Sequence, residues 1–233
     1  MKTFSYKGVE LEVDKGVFYP TETSKILMDY LLSLDGRIEG NILDLGCGSG
    51  AVSLILKRKK KVHTVYASDV SSRAVQNAMR NARRCEAKVD IRVSDGFSAW
   101  PSNFFNFVIC DISGVSQELA RVLPWFGGRI DCDTGRDGTA LVTRVIQETP
   151  RYLKKDGKAI FPVLTLSRST KILKAMKCAF SKVKKVASKQ FYLPIEMNKH
   201  AVLIGALQAE GCIEVEQKFG FYLWKTDLYE VKL

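Results

Sequence analysis

The sequence predicts an α/β protein built on a doubly wound, mainly parallel sheet. Three observations predict it. Apolar strand-like runs alternate with helix-period segments along most of the chain, the pattern of a parallel sheet covered by helices on both faces. One run, ending at Leu45, passes into the glycine-rich turn Gly46-Cys47-Gly48-Ser49-Gly50 and then into a helix pattern carrying Val52, Ile55 and Leu56. Four runs finish at or beside a carboxylate: Asp44, Asp69, Asp95 and Asp111. Ligands of open parallel sheets bind at the carboxyl ends of strands, so acids repeated at that edge point to a site.

The elements follow in order. Phe4–Tyr6 and Val9–Val13 alternate around Lys7-Gly8 and read as a β-hairpin. Thr21 or Thr23 is placed to cap a helix with Ile26, Leu27, Tyr30, Leu31 and Leu34 on one face. The glycine-loop strand comes next, then Val65–Ala67 running to Asp69. Ser71 caps a helix to about Asn81, with Ala74, Val75, Ala78 and Met79 inward. Val89–Val93 leads to Asp95-Gly96, and Phe107–Cys110 to Asp111. A weaker helix spans 116–123, and 124–137 reads as a loop. A helix over 139–153 presents Leu141, Val142, Val145 and Ile146, and Gly157 ends the connection into a strand over 159–164. Pro162 lacks the N–H a central ladder needs, so an irregularity is expected there. A helix over 169–180 and a strand over 183–193 follow. The end reads as an addition: a helix over 198–209 stopped by Gly211, then 212–217 paired with 221–226 across Lys218-Phe219-Gly220. Residues 229–233 would return to the sheet.

At 233 residues the length suits one domain over 1–233. Within it, 1–35 forms the N-terminal hairpin and helix, 36–193 the core, and 194–233 the C-terminal helix and hairpin addition. No apolar run approaches the ~20 residues that cross a bilayer, and the N-terminus lacks a signal-peptide core, so the expected location is cytoplasmic, with no membrane contact. Six scattered cysteines without a C-x-x-C pair, and two histidines, argue against a metal site and for reduced thiols. A net charge of +11 fits an acidic partner such as RNA, or a lysine-rich solvated surface. Lys57–Lys61 ends the helix after the first strand, away from the carboxyl edge. Lys171, Lys174 and Lys177, followed by Lys182, Lys184, Lys185 and Lys189, mark a possible nucleic-acid face.

A glycine loop at a helix start lets a ligand approach the backbone, with free N–H groups facing it. The loop also fits a dinucleotide pattern, Gly46-x-Gly48-x-x-Ala51. Asp69 at the end of the second strand is placed for a ribose diol in either kind of nucleotide.

DLGCGSG, then Asp69, Asp95-Gly96 and Asp111, resemble the ordered motifs of class I S-adenosylmethionine (SAM) methyltransferases over roughly residues 17 to 165. VFYPTETS at Val17–Ser24, DTGRDG at Asp133–Gly138 and RYLKKDGKAIF at Arg151–Phe161 resemble segments of the release-factor glutamine methyltransferases, the HemK-like branch. Where that branch carries Asn-Pro-Pro-Tyr, this chain has Asp111-Ile112-Ser113-Gly114. The resemblance implies a Rossmann-like fold and SAM as cofactor. Asp69 would take the ribose diol and Asp95, with Gly96 giving room, the adenine amine. The Gly46 backbone, Asp44 and Asp111 would face the ammonium. Cys47, Gly48, Gly50 and Val70 complete the implied pocket, with Pro20, Thr21 and Thr23 lining it. Plain helix capping is the competing role for the threonines.

At the acceptor, Asp111 and the Ile112 carbonyl are placed to accept two N–H bonds of a planar nitrogen. Ser113, Trp125 and Phe126 are the candidate substrate contacts, and the two rings equally suit packing the loop down. The implied activity is methyl transfer to a macromolecule, at a protein glutamine-type nitrogen on a target such as a translation factor. An RNA base is the alternative acceptor. A SAM-binding scaffold without activity is the rival from another class. A nicotinamide-dependent oxidoreductase would need a second catalytic lobe that the sequence does not present.

Overall fold

A computed structural model describes residues 1–34, 38–60, 62, 64–112, 114–126 and 133–233. In chain order the elements are β1 (Lys2–Tyr6), β2 (Val9–Val13), α1 (Glu22–Ser33), β3 (Asn41–Leu45), α2 (Ala51–Lys60), β4 (Thr64–Asp69), α3 (Ser72–Arg84), β5 (Asp90–Val93) and β6 (Phe105–Cys110). Then come α4 (Gln117–Val122), α5 (Ala140–Tyr152), β7 (Leu153–Leu164), α6 (Ser169–Ala179), β8 (Lys182–Tyr192), α7 (Ala201–Ala209), β9 (Glu216–Lys218) and β10 (Phe221–Lys232). Among the described residues, no helix is long and apolar enough to cross a membrane.

The chain forms two compact units. The first comprises Met1–Asp111, Glu148–Phe161 and Lys232–Leu233. Its strands lie in the order β5-β4-β3-β6-β7, and each pair along that order is parallel. The central strands are near-continuous apolar runs because helices cover both faces: Ile42, Leu43, Val65, Ala67, Val108 and Ile109 are all buried. Leu27 and Leu31 on α1 are fully buried, each worth about 1.5–3 kcal/mol against exposure. Such burial is what holds a 12-residue helix that would be marginal alone.

Helix α3 departs from the expected pattern. Met79 is 41% exposed, while Asn77 and Asn81 are buried. The reason is β2. Its outer backbone groups need partners, and the two amides supply them. Asn81 Oδ1 accepts Glu12 N–H at 3.0 Å, and Asn81 Nδ2 donates to the carbonyls of Glu12 and Ser49 at 2.8 and 2.9 Å. Asn77 accepts Asp14 N–H and donates to Glu12 O. One side chain thus ties the hairpin to the glycine loop. Asn81→Ala should cost about 2–3 kcal/mol by stranding buried backbone groups, read as a lower urea midpoint with an unchanged slope.

Two further expectations change. Strand β7 begins directly at Leu153 instead of after Gly157, and its pairing with β6 has a register shift ahead of Lys158. Phe105 pairs with Leu153 and Phe107 with Lys158, so one residue of β6, Asn106, stands opposite four of β7. The extra residues form a bulge in which Asp156 takes φ +65°. Pro162 lies past the last β6 pair, Ile109 with Ile160, where no N–H is asked of it by that neighbour.

The second unit comprises Ile112–Gln147 and Pro162–Val231, with its strands in the order β7-β10-β8 and β9 antiparallel to β10. The hairpin and the returning strand at the C-terminus, expected as separate pieces, are one continuous strand, β10. Its partner β9 is only three residues long. Leu119, Leu166, Ile204, Leu207 and Trp224 are among the buried residues of its core. The Asp133–Gly138 segment knits this unit. Asp137 Oδ1 accepts the backbone N–H and hydroxyl of Thr139, and Oδ2 meets Lys171 Nζ at 3.1 Å. Burial alone would raise the Asp137 pKa, but Thr139 and Lys171 outweigh it and hold the carboxyl below its ordinary value. Gly138 sits at φ +71° with Ser116 N 2.6 Å from where a Cβ would stand, a position only glycine fills.

Candidate functional site

The site is built where β3, β4, β5 and β6 end. Leu45 pairs with Ser68 on one side and Cys110 on the other. One step further along each strand, Gly46 therefore falls between Asp69 and Asp111. The Gly46 and Cys47 N–H groups both donate to Ser68 O, at 2.8 and 2.9 Å, bending the loop toward β4. Gly46, Gly48 and Gly50 take φ of +78°, +54° and +83°, the left-handed region that favours glycine. A Cβ on Gly48 would face Phe18 O at 3.9 Å, so the Val17–Thr21 segment passes beside the loop.

Asp69 is held from both sides. Its Oδ2 accepts Gly48 N–H and its Oδ1 accepts Ser71 N–H, each at 2.9 Å. The carboxylate plane is thereby fixed by the glycine loop and the start of α3. Ser71 caps α3, accepting Ala74 N–H. Val70, next to Asp69, is 52% exposed, an apolar side chain left open beside a polar cradle. Asp95 is exposed. A Cβ on Gly96 would meet Glu148 Oε2 at 3.2 Å, so the space beside Gly96 is bordered by a second carboxylate.

Asp44 is fully buried. Its Oδ2 accepts Ser53 N–H at 3.0 Å, and its Oδ1 has no partner among the described residues. Burial pushes its pKa up to about 7, with Asp111 and Asp69 adding to the rise and Ser53 opposing it. An acid whose folded pKa exceeds its unfolded value holds a proton in the native state that the unfolded chain releases. Asp44 therefore costs the ligand-free protein stability as pH rises from the ordinary carboxylate range through about 7. The Cys47 thiol is buried and pushed up, first by desolvation and then by Asp44 and Asp69. It stays protonated and serves as a small filler.

Asp111 carries the contact that the sequence reading missed. Its Oδ2 accepts the hydroxyl of Ser24 at 2.6 Å, across 87 residues. Burial raises the Asp111 pKa and the Ser24 hydrogen bond lowers it. Ser24 had a signal in the sequence: it is the hydroxyl three residues after the cap Thr21, the capping-box position. It accepts Thr21 N–H at 3.3 Å and is 2% exposed. Pro20 and Thr23 are buried and Thr21 half-buried. The first unit thus brings together Asp44, Gly46, Cys47, Gly48, Asp69 and Asp111.

Ile112 follows Asp111 directly and opens the second unit; Ser113 lies outside the described residues. Trp125 rests on Trp224 with ring centroids 5.4 Å apart, and Phe126 packs on the same cluster. The loop-packing role of the two rings is therefore the one with contacts. A surface hollow of about 870 Å³, lined by Thr64, Tyr66, Met79, Arg83 and Lys88 among others, lies where β4 and β5 begin. That is the opposite edge from the four acids, so volume does not mark this site.

A sheet with a glycine loop after its central strand and acids ending its neighbours defines a nucleotide-handling α/β class. Comparison with known proteins narrows it. Residues 9–111 match the family model of the methyltransferase small domain. The chain is 26% identical over 157 residues to a release factor glutamine methyltransferase from Streptococcus pneumoniae, covering 66% of this chain and 56% of that protein. It is 27% identical over 165 residues to a ribosomal protein uL3 glutamine methyltransferase from Bordetella pertussis, covering 67% and 55%. The chain thus spans a little over half the length of these relatives. The fold is similar to that of TYW2 from M. jannaschii, solved in complex with AdoMet, with a TM-score of 0.57 at 11% identity, covering 99% of this chain and 86% of that one. The fold is the Rossmann-like fold of these solved methyltransferases, and the match to the methyltransferase small domain falls on residues 9–111, which hold the glycine loop and the four acids.

Proposed function

We propose that this protein is a SAM-dependent methyltransferase acting on a macromolecule, and that its acceptor is the side-chain amide nitrogen of a protein glutamine. The observation that carries the reading is the pair Asp69 and Asp111 flanking Gly46 at one sheet edge, with Asp44 two residues back on β3 and its Oδ1 buried without a partner among the described residues.

That orphaned oxygen is a test of fit. SAM brings an ammonium, a sulfonium, a ribose diol and an adenine. A buried carboxylate oxygen lacking a donor suits the cationic end, with the Gly46 carbonyl beside it. Asp69, its plane fixed by two backbone donors, suits the diol. Val70, apolar and open, suits a face of the adenine, and Asp95 its amine. When bound, SAM supplies a methyl group on carbon already activated for displacement. The chain's own work is then positioning and exclusion of water. Asp111 accepts an N–H of the acceptor nitrogen and is the group that holds its proton; the Ile112 carbonyl accepts the second N–H. Both bonds draw the amide lone pair toward the transferring carbon. The sequence similarity to two glutamine methyltransferases supports this acceptor, as does the resemblance of Val17–Ser24 to that branch.

A cationic ligand beside Asp44 favours its ionised form. Affinity for S-adenosylhomocysteine should therefore rise as pH climbs through about 7, and binding near neutrality should release a proton. Calorimetry in buffers of different ionisation enthalpy measures both. An affinity flat across that range would remove Asp44 from the ammonium role.

A second reading, an RNA acceptor or RNA-borne target, is favoured by one observation. From Arg168 to Pro194 the sequence holds eight basic residues and no acidic one, and Lys182, Lys184 and Lys189 on β8 are exposed. Such a stripe suits phosphates. One experiment separates the readings: transfer of labelled methyl from SAM into an extract from cells lacking this protein, split for protease and for RNase. Label lost only to protease supports the glutamine reading. Label lost only to RNase makes RNA the acceptor. No label, with S-adenosylhomocysteine still bound, leaves the scaffold.

A further inference from the structure

Ser24 links the first turn of α1 to the end of β6, and its hydrogen bonds have one consistent direction. A serine hydroxyl has a single proton. Ser24 Oγ receives the Thr21 N–H at 3.3 Å, an interaction in which oxygen must be the acceptor. Its own proton goes to Asp111 Oδ2 at 2.6 Å. At 2% exposure Ser24 has no water to turn to instead. The hydroxyl gives its proton to Asp111, which presents an acceptor oxygen to it.

We propose that Ser24 is a positioning residue: it pins Asp111 Oδ2, so that Oδ1 is the oxygen offered to the methyl acceptor. This rests on the reading that Asp111 touches the acceptor nitrogen. It also explains how an aspartate serves at this position. A carboxylate has two acceptor oxygens and satisfies Ser24 and the substrate N–H together. A carboxamide has one. With its oxygen turned to Ser24, its NH2 would meet the substrate N–H, donor against donor. With Ser24 donating, Asp suits this position better than Asn. Burial acts against ionisation of Asp111, while Asp111 on β6 and Asp69 on β4 both raise Asp44 on β3. The Ser24 hydrogen bond is what opposes the burial of Asp111.

The test uses the full chain with Ser24→Ala, Ser24→Thr, Asp111→Asn and the double variant Ser24→Ala/Asp111→Asn. The readouts are methyl transfer, S-adenosylhomocysteine binding, and 13C NMR titration of labelled aspartate carboxyls. Ser24→Thr should keep near-native turnover. Ser24→Ala should lose about tenfold in kcat, keep S-adenosylhomocysteine affinity, and move both the onset of activity and the Asp111 titration upward by about one pH unit. Asp111→Asn should be inactive. The double variant should recover activity over Asp111→Asn alone, because the amide is then free to turn its oxygen to the substrate. An unmoved titration in Ser24→Ala, or a double variant no better than Asp111→Asn, would reduce Ser24 to a helix cap. Full turnover by Asp111→Ala would instead remove the reading on which the inference rests, so the two failures are distinct.

Discussion

Asp111→Ala is expected to remove methyl transfer while leaving S-adenosylhomocysteine bound. The expected loss in kcat is about 10²–10⁴-fold, the range for removing a positioned proton acceptor. The split between turnover and binding follows from where the side chain sits. Its Oδ2 is engaged by Ser24, on the α1 side, whereas the glycine loop is anchored by Asp69 and Ser68. Removing the Asp111 carboxyl therefore leaves the loop's own hydrogen bonds intact. It also relieves Asp44 of a like charge that raises its pKa. Cofactor affinity is thus expected to hold or to improve slightly at neutral pH as Asp44 ionises more readily. Calorimetry with S-adenosylhomocysteine and single-turnover transfer on the same preparation check the pair of results. Wild-type turnover would take Asp111 out of the chemistry. Loss of binding together with turnover would move it from the acceptor side to the cofactor side.

The part of this site written in short-range pattern was legible from the sequence, and the part made by long-range contact was not. The strand ending at Leu45, the glycine turn and the helix from Ala51 lie within a few residues of one another. Their periodicity and glycines carry the geometry directly. The acids at 44, 69, 95 and 111 follow from the same logic, because parallel strands bring their ends to one edge. Ser24 was different. Locally it is one hydroxyl in a capping segment, and capping explains it fully until β6 is placed beside α1. Asn77 and Asn81 misled for a related reason. Periodicity counts apolar residues as inward, so Met79 read as core. The open backbone of β2, 63 to 69 residues away, asked for amides on that face instead. Strand β10 shows a third limit. Asp227 and Leu228 look like a break between two short strands, yet Asp227 is held by Ser188 at 2.6 Å and the strand runs through.

Asp69→Ala is expected to be the most damaging single change to cofactor binding, and to do so by two routes at once. The carboxylate holds Gly48 N–H and Ser71 N–H at 2.9 Å each, joining the glycine loop to the first turn of α3. Without it both donors lose their acceptor, and the loop loses the link that sets its distance from β4. Charged hydrogen bonds of this kind contribute about 1.5–3 kcal/mol each. Loss of an equal pair to the ribose diol weakens S-adenosylhomocysteine by about 10²–10⁴-fold. Asp69→Asn separates the two routes. Its single oxygen satisfies one backbone donor, while its NH2 faces the other, so the loop is strained even where a ribose hydroxyl could still bond. It should fall between Ala and the native residue in stability and close to Ala in affinity. Asp69→Glu should fare no better, since an added methylene pushes the carboxylate past both donors. Thermal unfolding with and without S-adenosylhomocysteine reads stability and binding in one experiment. A ligand-induced rise in Tm preserved in Asp69→Ala would show that the diol is held elsewhere. Native-like affinity for S-adenosylhomocysteine alongside equal affinity for NADH would return the site to the wider class of nucleotide-binding α/β folds, because an acid ending the second strand suits either ribose.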